Sequence, residues 1–277
     1  MHRRGKIVRI ISNLYSVEAD GSVYSTRARG KFRNAQITPL VGDFVVIDDE
    51  ANFILEVEER KNCLKRPAIA NVDVGLVVTS LVSPNLSLNL LDKELLCIEA
   101  EGIEPVIVLT KLDLLRNEDE RAVDELFAYY RKIGYKVFSN RDIKSIMDYL
   151  KGKTVVLTGQ TGAGKSSLLN MFDENLNLKT SPISKALGRG VHTTRHVELF
   201  EIDGIFFADT PGFSALDLTF PKEKLKTLYP EFRDKICKFQ NCEHDRETIC
   251  GVKDALKEGS ILQSRYDNYI KFRGEMR

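Results

Sequence analysis

TVVLTGQTGAGKSSLLNMF, Thr154 to Phe172, is the stretch that decides the fold of this chain. Its centre, Gly159-Gln160-Thr161-Gly162-Ala163-Gly164-Lys165-Ser166, is a complete GxxxxGK[ST] phosphate loop. An apolar run rich in β-branched residues feeds the loop, and a helical pattern leaves it through Ser166-Ser167. The motif therefore has the strand before it and the helix after it that it needs. Glycines at 159, 162 and 164 give the backbone freedom to wrap a phosphate with its N–H groups, and the positive end of the following helix faces the same anion. Lys165 has the reach for β- and γ-phosphate oxygens, and the Ser166 hydroxyl suits Mg²⁺.

Upstream, PVIVL leads into Thr110-Lys111-Leu112-Asp113, the form of a guanine-reading TKxD box. Asp113 accepts from the ring N–H and exocyclic amine of guanine, whereas adenine leaves that carboxylate unpaired. Lys111 can lay its alkyl stem over the base. Thr110 stands where Asn is commoner and brings no amide donor. Ser139-Asn140, at the end of the next strand pattern, sits where a backbone N–H meets the guanine carbonyl. Downstream, Asp209-Thr210-Pro211-Gly212 is a DxxG switch: Asp209 is expected to hold magnesium through water and the Gly212 N–H to sense the γ-phosphate. Gly188-Arg189-Gly190-Val191-His192-Thr193-Thr194 lies between loop and switch, where Thr193 or Thr194 can supply Mg²⁺ with a ligand. Phe213 occupies the position at which many small GTPases carry a water-orienting Gln, so either another residue orients the water, with His192 the candidate catalytic residue beside Lys165, or turnover stays slow until a partner completes the site. The order is base reader, phosphate loop, switch. Joining the ends of a compact domain and opening it elsewhere preserves a site in three dimensions, so the order reads as a circular permutation.

The rest of the 277 residues divides by texture. Residues 1–65 carry short alternating runs (GKIVRII, LYSVEA, SVYSTRA, VGDFVVID, ANFILEVEE) that predict a small β-barrel, an OB-fold ahead of an SH3-like one. Within it Arg27-Ala28-Arg29-Gly30-Lys31-Phe32-Arg33 offers four cations to phosphates and one ring to a base. Residues 66–220 alternate buried strands with amphipathic helices, which predicts an α/β domain with a parallel sheet. Residues 221–277 are helical and basic, and Cys237, Cys242, His244 and Cys250 form the Cys₃His set of one closed structural zinc site. Cys63 and Cys97 lie apart from it. Five cysteines, three of them clustered, do not make a disulfide framework. No run approaches the roughly 18 apolar residues of a membrane span, and no secretory leader opens the chain, so a cytoplasmic, membrane-free protein is expected. The net charge of +1 conceals eight Lys/Arg against two acids in residues 1–37, 20 against 28 in 38–221, and 13 against 10 in 222–277. Basic ends around an acidic middle suit an enzyme core held against a polyanion.

GQTGAGKSS after TKLD, then GRGVHTT, DTPGF and CKFQNCEHDRETIC, behind a barrel with RARGKFR and TPLVGD, resembles the RsgA (YjeQ) family of ribosome small-subunit-dependent GTPases. The resemblance covers essentially the whole chain. It implies an OB domain, a permuted GTPase domain and a zinc domain that bind the 30S subunit and its 16S rRNA during late maturation. It also implies turnover of GTP to GDP and phosphate under ribosome stimulation, by a protein expected to be monomeric. A nucleotide-gated RNA-binding module and a metabolite kinase are the other readings; TKLD argues against the kinase.

Overall fold

The computed structural model describes residues 1–29, 32, 37–65, 68–176, 197–209 and 217–276. Lys31, Arg33, His192, Thr193, Thr194, Gly212 and Phe213 lie outside the described residues. The first strands are β1 (His2–Ile11), β2 (Leu14–Ala19), β3 (Ser22–Ala28), β4 (Phe44–Asp48) and β5 (Phe53–Val57). A short hairpin, β6 (Cys63–Lys65) and β7 (Ala68–Ala70), leads into β8 (Val74–Ser80), β9 (Glu104–Thr110) and β10 (Lys136–Ser139). β11 (Thr154–Thr158), β12 (Glu198–Ile202) and β13 (Ile205–Asp209) complete the set. The chain packs as two compact units: Met1–Leu76 with Asn140–Thr158 and Gly164–Phe213, and Val77–Ser139 with Gly159–Ala163 and Ser214–Arg277.

In the first unit, β1 to β5 close into a barrel in the order β1-β2-β3-β5-β4, with β4 returning to β1 and β3 pairing β5 in parallel. This is the predicted OB-like barrel. Alternation puts Ile7, Val17, Val45, Ile47 and Ile54 inside, all fully buried. β1 is bent across the closure by a register shift between Ile7 and Arg9. Gly5 permits the close crossing, because a Cβ there would overlap the Glu18 carbonyl oxygen and Val17. Beyond the barrel, β1 pairs β12, β12 pairs β13, and β13 runs parallel to β11, the strand that feeds the phosphate loop. The buried Lys6 joins barrel to β11: its Nζ donates to Thr154 Oγ1 at 2.9 Å and sits 4.3 Å from the Phe206 ring centre. Burial pulls this ammonium below its usual range, against the opposing pull of Asp73.

One residue departs from its expected role. Phe32 is only 6% exposed, packed as a core residue, so its ring is not offered to a nucleobase. Arg29 instead lies over Phe53, 5.6 Å from the ring centre.

The second unit takes up β8 from Val77 onward and holds β9 and β10, which run parallel. Every residue of β8 is buried, which explains why VGLVVTS shows no alternation. Helices Leu88–Ala100 and Asn117–Lys132 belong to this unit. So do the C-terminal helices Gly251–Lys257 and Gln263–Glu275. Leu96 of the first of these four helices shares a core with Leu225, Tyr229, Phe232, Val252, Tyr269 and Phe272. Among the described residues, no helix is long and apolar enough to cross a membrane.

Candidate nucleotide site and metal centre

The phosphate loop has the backbone its sequence demands. Gly159, Gly162 and Gly164 take φ of 133°, 81° and 99°, a region closed to most side chains. At Gly159 a Cβ would also strike the Val78 carbonyl, so glycine is required twice over. Gln160 and Thr161 are exposed, and the Ala163 N–H donates to the Gln160 carbonyl at 3.0 Å, closing the turn. The helix Lys165–Phe172 starts immediately after Gly164, and its first backbone bond runs from Leu168 N–H to the Gly164 carbonyl. Ser166 and Ser167 therefore lie in the first turn, where the positive end of the helix dipole favours an anion.

The base-reader box ends β9. Thr110 is 3% exposed, and its hydroxyl donates to the Ala163 carbonyl at 2.6 Å, with the Thr79 carbonyl 3.3 Å away. The residue without an amide therefore ties base reader to phosphate loop through its hydroxyl. Lys111 takes a left-handed backbone (φ 60°), and its Nζ donates to the Ser83 carbonyl. Leu112 and Asp113 open a 3-10 turn in which the Asp113 carboxylate is exposed. Ser139 pairs Leu109 in register, so β10 ends level with the box, and Asn140 follows directly. Asp209 ends β13 next to β11, opposite Glu198, which places its backbone at the end of the sheet from which the loop departs.

Sequence reasoning missed the segment after β8. Ser83 receives Lys111, and Pro84 Cδ lies 3.7 Å from where a Gly162 Cβ would stand. Asn85, Ser87 and the buried Glu94 line a small cavity with Gln160. The available signal was positional: in α/β sheets, loops beyond the carboxyl ends of the strands build the site.

Cys237, Cys242, His244 and Cys250 come together, with one potential ligand atom from each lying within 4.8 Å of the others. The Cys237–Cys250 sulfurs are 3.9 Å apart, and His244 Nδ1 is 3.6 Å from Cys237 Sγ and 3.3 Å from Cys250 Sγ. A tetrahedral zinc with bonds of about 2.0–2.3 Å needs ligand separations close to these. The donor set fits zinc, which when bound supplies a structural staple. Burial pushes the Cys242 thiol up to about 12 and lowers the His244 imidazole, so both groups favour their neutral forms. His244 has a left-handed backbone (φ 57°), and its own carbonyl accepts from Tyr266 Oη at 2.7 Å. By contrast, burial pushes the Cys97 thiol up to about 12, and it remains a core residue.

A phosphate loop following its guanine box, on a parallel sheet, with a DxxG strand beside the loop strand, defines a circularly permuted GTPase. Comparison with known proteins is specific: residues 57–219 match the RsgA GTPase model and residues 4–53 the RsgA N-terminal domain, so this chain belongs to the RsgA GTPase family and is a GTP-hydrolysing enzyme. It is 46% identical over 286 residues to the Small ribosomal subunit biogenesis GTPase RsgA of Latilactobacillus sakei, covering 99% of this chain and 96% of that protein. The Enterococcus faecalis protein of the same name is also 46% identical, over 98% of this chain and 95% of its own. Among solved structures, YjeQ from Thermotoga maritima superimposes with a TM-score of 0.87 at 36% identity, covering 100% of this chain and 99% of that one. YloQ, described as a circularly permuted GTPase, gives 0.85 at 38% identity, covering 100% and 95%.

Proposed function

We propose that this chain hydrolyses GTP to GDP and phosphate on the small (30S) ribosomal subunit, is stimulated by it, and assists its late maturation through contacts with 16S rRNA. The names of the relatives support the subunit, and the basic N-terminal residues support a nucleic-acid partner. The observation that carries the nucleotide reading is the bond from Thr110 to Ala163, 53 residues away, which supports taking the base-reader box and the phosphate loop as one site.

Asp113 selects guanine and Lys111 covers the base, with the N–H groups around Ser139 and Asn140 completing its edge. Backbone amides of Gly159 to Gly164 and the N-terminus of Lys165–Phe172 hold the phosphates, and Lys165 neutralises charge on the β–γ bridge. Ser166, Asp209 and either Thr193 or Thr194 would hold Mg²⁺, which when bound would offset the negative charge of the phosphates. His192 orients water in place of the glutamine that Phe213 cannot replace, and Gly212 reports on the γ-phosphate. The protein acts as a cytoplasmic monomer, its C-terminal segment stapled by one zinc. A nucleotide-gated RNA-binding module with incidental hydrolysis is the second reading, and Phe213 favours it.

Sedimentation with purified small subunits tests the switch. The non-hydrolysable GTP form should bind more tightly than the GDP form by about 1–3 kcal/mol. Equal binding of both forms at physiological salt would reject it.

A further inference from the structure

Arg265 is the largest fully buried side chain among the described residues, and it stands on the C-terminal helix Gln263–Glu275. Its guanidinium donates to Asp92 Oδ1 at 2.7 Å and to both oxygens of Glu231, at 2.7 and 3.1 Å. Asp92, itself fully buried, also accepts from Tyr130 Oη at 2.8 Å and from Asn268 Nδ2 at 2.6 Å. The Tyr229 ring lies 4.5 Å from the guanidinium carbon. One cation and two carboxylates are thus sealed away from water.

Stability does not account for such a cluster, because well-packed apolar residues serve a core at least as well as buried ion pairs. A buried ionic network can instead fix the register of the elements it joins. The register here belongs to the nucleotide-binding elements. Asp92 lies on Leu88–Ala100, the helix that presents Leu90, Leu91 and Glu94 to the cavity beside Gln160 of the phosphate loop. Tyr130 lies on Asn117–Lys132, the helix that begins four residues after Asp113. The opposite hand of the Arg265 helix grips the metal-bearing segment: Tyr266 Oη donates to the His244 carbonyl and Tyr269 Oη to the Glu243 carbonyl, each at 2.7 Å.

We propose that Arg265 is a positioning residue for GTP binding, fixing the two helices that flank the base reader and phosphate loop and making nucleotide affinity responsive to the Cys/His segment. The C-terminal helix thereby serves the nucleotide site.

The test uses two full-length variants. Asp92→Asn/Glu231→Gln/Arg265→Met removes all three charges while leaving an amide at position 92 whose oxygen accepts from Asn268 and whose N–H donates to Tyr130 Oη, and Arg265→Lys keeps the charge without the planar fork. Melting temperature, zinc content, and affinity for fluorescent GDP and a non-hydrolysable GTP analogue are measured on each, with KM and kcat. The neutral variant should retain its zinc and cooperative melting yet bind both nucleotides about tenfold more weakly. Its KM should rise in step and its kcat at saturation should change less than about threefold. Arg265→Lys should fall between it and the parent. Wild-type affinity in a neutral variant that melts and holds zinc normally overturns the proposal. So does an affinity loss that merely tracks lost melting temperature and zinc across both variants. If the neutral variant does not fold, Arg265→Lys decides alone, and wild-type affinity there overturns it.

Discussion

Asp113→Asn is the sharpest single-residue test of the base reader, because it exchanges a double acceptor for an amide. GTP affinity should fall by about 100-fold while xanthine nucleotides gain, as read by competition binding. At Thr110 the structure added what the motif could not show. A hydroxyl bond to Ala163 depends on a fold contact 53 residues away, and nothing in TKLD announces it. Thr110→Val leaves a buried carbonyl unpaired and should weaken guanine nucleotides about five- to tenfold, whereas Thr110→Ser should cost less than about twofold. Glu99 makes a prediction about pH. Burial raises its carboxyl to about 7, opposed by Arg233 and Arg265 and by the bond from Tyr135 Oη, while Glu231 pushes the same way as burial. A folded-state value above the unfolded one means that stability is lost as pH rises from the ordinary carboxylate range through about 7. Glu99→Gln should therefore stabilise the protein by about 1–3 kcal/mol at pH 8 and by little at pH 4.5, measured by urea unfolding.

Strands and helices were legible wherever periodicity was strong. The five barrel strands fall on the alternating runs of residues 1–65, and the helices Leu88–Ala100, Asn117–Lys132 and Ile143–Leu150 stand among the buried strands of residues 66–220, where alternation was expected. Short or context-dependent features escaped. The β6–β7 hairpin has three-residue strands, too short to show alternation. Phe32 read as a stacking ring from its cationic neighbours but is buried, because sequence cannot say which way a side chain turns. The Cys/His cluster was legible because ligand type and spacing are local, while its attachment to Gln263–Glu275 through two tyrosines was not. That attachment predicts the result of breaking the metal site. Cys250→Ser should lower bound zinc below about half an equivalent and raise hydrogen exchange through residues 237–250 and into the Gln263–Glu275 helix. Exchange confined to the cysteine loop would separate the helix from the metal.

Charge acts over the whole molecule. Residues 1–37 carry eight Lys/Arg against two acids, and this basic end precedes an acidic middle. If Arg27, Arg29, Lys31 and Arg33 contact phosphates, each replacement by Gln should reduce the log–log salt slope of subunit binding by somewhat less than about one unit. The inverted order of the boxes was readable along the sequence, whereas the grouping of the C-terminal segment with β8 to β10 depends on contacts such as Arg265 to Asp92, 173 residues apart. Whether the small subunit drives the proposed GTP turnover is decided by steady-state phosphate release from GTP, with ATP in parallel. Alone, the protein should turn over GTP slowly, nearer about 10⁻⁴ s⁻¹ than the assisted rates of small GTPases, and purified small subunits should raise that rate roughly tenfold or more with no effect on ATP. A GTP rate unchanged by small subunits, or ATP turnover equal to that of GTP, would rule out a guanine-specific, subunit-driven enzyme.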